Sequence, residues 1–165
     1  MTDVQKIEAL VAELSGAIGA EQVKFDTMTR ILYSTDASNY QVMPIGVTFP
    51  RNSDEVCAIH EISARYGVPL LPRGGGSSLA GQTVGEAIVM DFTRHMRRVM
   101  SVNAETRTVQ VEAGKILGQL NAELAPMGMT FGPDPASAER AAIGGVIGNN
   151  STGAHSIVYG MAADH

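Results

Sequence analysis

The glycine-rich stretch LPRGGGSSLAGQTVG, residues 71–85, restricts the fold of this chain more than any other feature. It follows an apolar segment at residues 68–71 that we predict to be a strand, and glycines in a row bring backbone close to a turn or a ligand. An earlier strand is predicted at residues 46–49, followed by a helix that begins at the N-cap Ser53 and ends at Gly67. Strand, helix and strand together predict a βαβ unit that leads into the glycine-rich stretch.

The spacing of apolar residues predicts further helices and strands. Residues 4–18 and 115–127 have apolar side chains at helical spacing, and Asp26 is predicted to cap a short helix that ends at Leu32. The remaining predicted elements are a strand at residues 87–92 and a hairpin of residues 98–102 with residues 108–112. An α/β first half and an antiparallel hairpin in the second half predict an α+β fold or two small subdomains.

Composition excludes several classes of protein. The 165 residues suit roughly one domain, and with 44% hydrophobic and 18% charged residues the chain can bury a core. A net charge of −5 argues against non-specific nucleic-acid binding, so no nucleic-acid partner is predicted. The single cysteine, Cys57, cannot form an internal disulfide and is predicted to be a small buried side chain on an apolar helix face. Without a CxxC motif or a cysteine–histidine cluster, the segment is not predicted to hold zinc or an iron–sulfur cluster.

The two ends of the sequence bear on location and length. The start, MTDVQKIEAL, is acidic and does not resemble a signal peptide, and no stretch approaches the ~20 apolar residues of a membrane-spanning helix. We therefore predict a cytoplasmic domain without a transmembrane segment, which leaves membrane association of a longer protein open. The last residues, MAADH, carry no cap or turn signal, so the sequence is predicted to be the front portion of a longer protein.

Residues 71–85 allow several interpretations. They differ in whether the stretch binds a phosphate group and in which kind of phosphate it binds. GSSLAGQT, residues 76–83, matches a P-loop except that Gln82 replaces the lysine that contacts the β- and γ-phosphates, so the match is weak. A Rossmann loop is unsupported, because no convincing amphipathic helix follows the glycines. Arg73, three glycines and two serines instead predict a concavity that holds an intact pyrophosphate, where a branched side chain at Gly75 would occupy phosphate space. A flexible surface turn is the structural alternative.

A second glycine-rich segment, IGGVIGNNSTGAHSIVYG, occupies residues 143–160. Its paired asparagines and neighbouring hydroxyls offer many donors and acceptors in a row. Two glycine-rich polar segments in one small domain predict a long ligand that contacts both, and a dinucleotide is such a ligand. The alternative is a tight helix of small residues packed under a neighbouring element.

Together these segments resemble a known family, the FAD-linked oxidases of the vanillyl-alcohol oxidase and p-cresol methylhydroxylase type. The similarity is carried by PLLPRGGGSSLAGQ at residues 69–82, LNAELAPMGMTFGPDPAS at 120–137 and AAIGGVIGNNSTGAHSIVYGMAADH at 141–165. It continues through residues 87–114 and runs in order to residue 165. Within this family, the sequence is most similar to the 2-hydroxy-acid dehydrogenase branch, with glycolate oxidase FAD subunits, D-lactate dehydrogenases and D-2-hydroxyglutarate dehydrogenases.

The resemblance implies an α+β fold with two small α/β subdomains, a p-cresol methylhydroxylase-type FAD-binding domain whose second subdomain is incomplete. It implies a helical lead-in at residues 1–45 and an FAD-binding domain at residues 46–165, truncated at its C-terminus. The cofactor implied is FAD, non-covalently bound because Ser77 stands where some relatives carry a histidine that tethers flavin. The cofactor-binding residues implied are Arg73, Gly74, Gly75, Gly76, Ser77, Ser78, Pro133, Asp134, Gly144, Gly145, Asn149, Asn150, Ser151, Gly153, Tyr159 and Gly160.

Within the chain, the resemblance implies no catalytic residue and no metal ligand, because a downstream domain normally holds the substrate. His155 is a further candidate for a cofactor contact, while His95, beside several arginines, is expected to be solvated. The whole protein would oxidise a D-2-hydroxy acid such as D-lactate, glycolate or D-2-hydroxyglutarate and pass the electrons to a further acceptor. The form NNSTGAHS is most similar to long bacterial members with a downstream iron–sulfur module.

Two alternatives stay open on the sequence alone. One is a non-catalytic module that binds a nucleotide or a phosphate, and the other is a reductase of the same superfold that uses FAD with NADPH. By itself the 165-residue chain is expected to be inactive. An incomplete second subdomain would expose apolar surface, which favours a homodimer.

Overall fold

The computed structural model of the chain describes residues 3–165. The fold divides into two compact units. The first takes the chain to Arg73 and adds Ser78–His95, and the second consists of Gly74–Ser77 and Met96–His165. The glycine-rich stretch is therefore shared between the units, with its first glycines in the second unit and its remainder in the first.

The first unit contains a four-stranded sheet in the order β1–β2–β4–β3. Its strands are β1 (Val23–Lys24), β2 (Gly46–Thr48), β3 (Leu70–Arg73) and β4 (Ile88–Asp91). The strand β1 runs antiparallel to β2, whereas β2, β4 and β3 are parallel. Because parallel strands end at the same edge, Arg73 lies opposite Asp91 where the glycine-rich stretch begins.

Three helices accompany this sheet: α1 (Asp3–Ile18), α2 (Thr27–Leu32) and α3 (Ser53–Arg65). They confirm the predicted helices and the βαβ unit, and Asp26 caps α2 as expected by accepting a hydrogen bond from the Thr29 backbone N–H. The main core of the unit joins α1 and α3 to the sheet and includes Leu10, Leu14, Ile18, Ile59, Ile62, Ile88 and Met90. Burial of these side chains is the main source of the unit's stability.

Two details of α3 differ from the sequence predictions. The N-cap is Asn52, whose side-chain oxygen accepts a hydrogen bond from the Glu55 N–H at 3.0 Å, and Ser53 is already the first helical residue. The prediction of a buried Cys57 is wrong, because its side chain is exposed. The inner face of the helix is defined by Ile59 and Ile62, and a residue two positions before Ile59 points to the other side.

The second unit pairs a hairpin with short helices. The strands β5 (Val99–Asn103) and β6 (Thr108–Val111) are antiparallel, with an irregular register near residue 100, and confirm the predicted hairpin. The helices are α4 (Leu117–Leu124), α5 (Ile143–Gly148) and α6 (Ser156–Tyr159). Their core is formed by Leu117, Leu120, Leu124, Ile143 and Val146, with valines of the hairpin packed against it.

The helix predicted at residues 115–127 is shorter than expected. It ends at Leu124 and continues as a 3-10 turn, Ala125–Met127, because Pro126 cannot extend an α-helix. The second glycine-rich segment forms a short helix over Ile143–Gly148, the element that its structural alternative predicts. Within residues 3–165, no helix combines the length and the apolar character that crossing a membrane requires.

Candidate functional site

The second unit brings its part of the first glycine-rich stretch against the residues that precede α5. A Cβ atom built on Gly75 would lie 2.0 Å from the carbonyl oxygen of Arg140, and one on Gly74 would lie 2.9 Å from the Ala142 Cβ. Gly76 has a left-handed backbone with φ 63°. Glycine is therefore favoured by close packing at Gly74 and Gly75 and by the left-handed backbone at Gly76.

A side chain at Gly75 would meet the protein backbone. A valine at that position would collide with the Arg140 backbone, so loss of cofactor in such a variant would not show that phosphate occupies the space. The backbone N–H groups of Gly74, Gly75, Gly76 and Ser77 donate no hydrogen bond to a protein acceptor among the described residues. Such a run of unused N–H donors suits a pyrophosphate.

Pro133, Asp134 and Gly153 lie together in the second unit, although 19 positions separate Asp134 from Gly153 in the sequence. A Cβ atom on Gly153 would lie 2.0 Å from the Asp134 carbonyl oxygen and 2.2 Å from that of Pro133. The backbone N–H of Ala154 donates to the Asp134 oxygen at 3.2 Å. Asp134 itself has a left-handed backbone, with φ 50°, which turns the chain at this contact.

A cavity of about 700 Å³ opens beside this contact in the second unit. Its lining includes Arg107, His155, Tyr159 and His165. The Nδ1 atom of His155 lies 3.7 Å from Asp134 Oδ2, close enough for an ion pair when the imidazole is protonated. His155 is therefore placed beside a predicted cofactor residue, which supports its candidacy without assigning it a role.

Two of the three glycines of α5, Gly144 and Gly145, have different surroundings. A Cβ atom on Gly144 would lie 2.8 Å from the Ala113 Cβ, whereas one on Gly145 would meet nothing within 4 Å. Gly144 is thus needed for the packing of α5, and Gly145 leaves open space beside the helix. Space of this kind lets a ligand approach the backbone.

The residues just after α5 are held by Ala162 and Ala163, which follow the second glycine-rich segment. Asn150, with φ 46°, accepts a hydrogen bond from the Ala163 N–H at 2.9 Å through its side-chain oxygen. Ser151 accepts one from the Ala162 N–H at 3.0 Å through its carbonyl oxygen. Asn149 follows directly after α5, where its N–H donates to Gly145 at 3.0 Å.

Tyr159 and Gly160 end α6 near these residues. The carbonyl oxygen of Tyr159 lies 2.9 Å from His165 Nε2, and Gly160 has a left-handed backbone with φ 84°. The Tyr159 side chain is exposed. The second unit thus collects most of the predicted cofactor residues in short segments around α5 and α6.

Arg73 belongs to the first unit, where its guanidinium is engaged by backbone oxygens. It donates to the carbonyls of Tyr33 at 3.3 Å, Thr83 at 3.1 Å and Thr35 at 2.9 Å. The guanidinium carbon also lies 5.2 Å from the centre of the Tyr33 ring, a distance suited to a cation–π contact. A contact of Arg73 with phosphate stays a prediction, as does the role of Ser78, whose hydroxyl accepts from the Ala80 N–H at 3.4 Å.

A polar network not identified from the sequence surrounds Arg73. The hydroxyl of Tyr33 donates to Asp91 Oδ2 at 2.5 Å, and burial together with this hydrogen bond and the Asp91 charge raises the pKa of the Tyr33 hydroxyl. The other Asp91 oxygen accepts from the N–H and hydroxyl of Thr93 at 2.6 and 2.7 Å. Asp91 is buried, so these partners satisfy a carboxylate that water reaches poorly.

Two other predictions are affected by contacts in the first unit. The Thr83 hydroxyl, which would hold magnesium in a P-loop, donates to Asp36 at 2.8 Å. His95, which is expected to be solvated, is half-buried, and its Nε2 lies 2.8 Å from Gln22 Oε1. Among residues 3–165, no group of three or more His, Cys, Asp and Glu side chains has the geometry to hold a metal ion.

The sequence of this chain is similar to a known family and to several known proteins. The family model described as FAD binding domain matches residues 44–165. D-2-hydroxyglutarate dehydrogenase of Escherichia coli (strain K12) is 42% identical over 139 residues, which cover 82% of this chain and 14% of that protein. Glycolate oxidase subunit GlcD of Bacillus subtilis (strain 168) is 34% identical over 149 residues, covering 89% of this chain and 32% of that protein.

Solved structures share the fold. An alkyldihydroxyacetonephosphate synthase superimposes with a TM-score of 0.86 at 26% identity, covering 95% of this chain and 32% of that one. A p-cresol methylhydroxylase superimposes with a TM-score of 0.74 at 14% identity, covering 92% of this chain and 30% of that one, and shows the fold alone. These matches confirm the predicted fold class. The chain spans 14% to 32% of the length of the two curated relatives.

Proposed function

Because the chain belongs to the FAD binding domain family, we propose that it is the FAD-holding part of a longer flavin-dependent dehydrogenase that oxidises a D-2-hydroxy acid. The observation that carries this proposal is the 42% identity, over 82% of the chain, to a D-2-hydroxyglutarate dehydrogenase. Similarity to a glycolate oxidase subunit supports the same substrate class. D-2-hydroxyglutarate is therefore the first substrate to test, with glycolate and D-lactate after it.

The residues of the second unit fit FAD in two respects. The unused N–H groups of Gly74 to Ser77 offer several donors to a pyrophosphate. The open space at Gly145 gives a ligand access to the backbone of α5. In this proposal FAD is held non-covalently, since Ser77 has no nucleophile comparable to the imidazole that tethers flavin in some relatives.

Bound FAD would supply the redox chemistry by accepting a hydride equivalent from the carbon that bears the substrate hydroxyl. The chain itself would position the cofactor and exclude water from its phosphates. The substrate-binding groups and the electron acceptor, whether a quinone, a cytochrome or an iron–sulfur cluster, would belong to other parts of the longer protein. A cytoplasmic location is part of the same proposal.

The proposal can be tested on the longer protein under anaerobic conditions. We expect D-2-hydroxyglutarate or another D-2-hydroxy acid to bleach the visible flavin absorbance, while the L enantiomer leaves it unchanged. Bleaching by NADPH without any response to hydroxy acids would support the reductase alternative instead. Failure of the longer protein to retain flavin would overturn the proposal and leave a phosphate-binding module.

A further inference from the structure

Residues 34–40, a polar segment between α2 and β2, contact residues 78–83 of the glycine-rich stretch within the first unit. The hydroxyl and the N–H of Thr83 both donate to Asp36 Oδ2, at 2.8 and 3.4 Å. The other oxygen of Asp36 accepts from the Ser38 N–H at 2.8 Å. The carboxylate thus joins its own loop to the glycine-rich stretch.

A second contact joins the same two segments. Gly81 has a left-handed backbone, with φ 75°, and a Cβ atom on it would lie 2.6 Å from Cδ2 of the Tyr40 ring. The ring of Tyr40 therefore covers the face of Gly81 where another residue would carry its side chain. The glycine serves this contact as well as the turn.

Arg73 makes the third connection between these segments. Its guanidinium donates to the carbonyl of Thr35 on one side and to the carbonyl of Thr83 on the other. Such donation by a charged group is stronger than a bond between neutral partners. Residues 34–40 thus hold residues 78–83 through the Asp36 carboxylate, the Tyr40 ring and the Arg73 guanidinium, which binds both segments.

The charge of Asp36 is maintained by its partners. Burial raises the pKa of this carboxyl, but the hydrogen bonds from Ser38 and Thr83 outweigh that effect and hold the pKa below its usual value. A carboxylate repels phosphate and accepts hydrogen bonds only, so direct contact with a phosphate is unfavourable. Asp36 is suited to act on the glycine-rich stretch through Thr83.

We propose that residues 34–40 are a clamp that fixes residues 78–83 in the conformation that receives FAD, with Asp36 as its positioning residue. The affinity for FAD in this proposal rests on the proposed function, whereas the fixing of the loop does not. A free glycine-rich loop loses backbone entropy when a ligand orders it, and a loop already held in place loses less. The clamp thereby strengthens binding without touching the cofactor.

The test uses variants at both ends of the hydrogen bond. Asp36→Ala and Thr83→Val remove it from either side, Thr83→Ser keeps the hydroxyl, and Asp54→Ala removes an exposed carboxylate elsewhere in the first unit. Amide hydrogen exchange of residues 78–83 is measured on the 165-residue chain without FAD. In a separate experiment, the quenching of flavin fluorescence measures the affinity for FAD.

We expect Asp36→Ala and Thr83→Val each to accelerate exchange at residues 78–83 and to weaken FAD binding about tenfold, the effect of one charge-assisted hydrogen bond. The double variant should be no weaker than either single one, while Thr83→Ser and Asp54→Ala keep wild-type values. Unchanged exchange in Asp36→Ala would overturn the clamp, as would faster exchange with unchanged FAD affinity. If the wild-type chain and longer protein bind no FAD, the proposed function fails, and faster exchange would still support the clamp's hold on the loop.

Discussion

A methyl group added at Gly153 would meet the backbone of another segment. The added Cβ atom would lie 2.0 Å from the Asp134 carbonyl oxygen, so Gly153→Ala has to displace the turn at Pro133 and Asp134. We predict that this variant lowers the free energy of unfolding by about 1–3 kcal/mol, the usual range for overpacking. Urea denaturation of the chain measures the change.

Gly145→Ala is the matched control for this prediction. Its Cβ atom would meet nothing within 4 Å, and alanine in a helix is favoured over glycine by about 0.5–1 kcal/mol. The control should therefore match or exceed wild-type stability. Equal losses at Gly153 and Gly145 would contradict the close contact between Gly153 and the Asp134 backbone.

Glu112 makes the stability of the second unit depend on pH. Its side chain is mostly buried and accepts hydrogen bonds from the side chain and the N–H of Arg98, which lower the pKa of this carboxyl from its usual 4.5. A carboxyl whose pKa is lower in the folded state than in the unfolded state stabilises the fold. This contribution is fully present at a pH above the pKa of the unfolded state and is lost as the pH falls through the pKa of the folded state.

We therefore predict that Glu112→Gln lowers the melting temperature near neutral pH, and that its deficit against wild type shrinks as the pH falls below 4.5. Thermal unfolding of both proteins across this range gives the comparison. Glu105→Gln removes an exposed carboxylate from the turn of the same hairpin and serves as control. A deficit at Glu112 that is constant with pH would contradict a role for its charge.

The start of α3 depends on one side chain. Asn52 caps the helix through its side-chain oxygen, while Ser53 is exposed and lies inside the first turn. We predict that Asn52→Ala lowers the free energy of unfolding by about 0.5–2 kcal/mol, as loss of an N-cap does. Ser53→Ala should change it little when both variants are measured in urea. The opposite order would restore Ser53 as the cap.

Local sequence patterns predict helices and strands well where the residues that contact one another lie close together in the chain. Asp26 caps α2 by binding Thr29, three residues later, and such a contact is visible in the sequence. At α3, both Asn52 and Ser53 are good caps, so composition could not choose between them. The predicted hairpin and βαβ unit are correct for the same reason, since each depends on short-range periodicity.

Contacts between distant residues could not be predicted in this way. Tyr33 and Asp91 are 58 positions apart, and no local pattern joins them. The close approach of Gly75 to Arg140 likewise depends on how the second unit packs. FAD as the cofactor could be predicted because the order of several motifs resembles a family, whereas the partners that position Arg73 required the folded chain.

Each unit has a core of its own, and the second unit exposes apolar side chains on α6 and shortly after it. Ile157 is 97% exposed and Val158 77% exposed, with Tyr159 and Met161 next to them. A contiguous apolar patch at a surface favours association with another molecule. We propose these residues as the surface through which a homodimer would form.

We predict that the 165-residue chain self-associates through this patch, and that replacing both Ile157 and Val158 with serine makes it monomeric. Serine removes the apolar area whose burial drives association. Sedimentation velocity over a range of concentrations measures the effect. Leu79→Ser, which changes a side chain 79% exposed in the first unit, is the control and should keep the wild-type behaviour. A wild-type chain that stays monomeric, or a dimer that survives the double change, would contradict this surface as the interface.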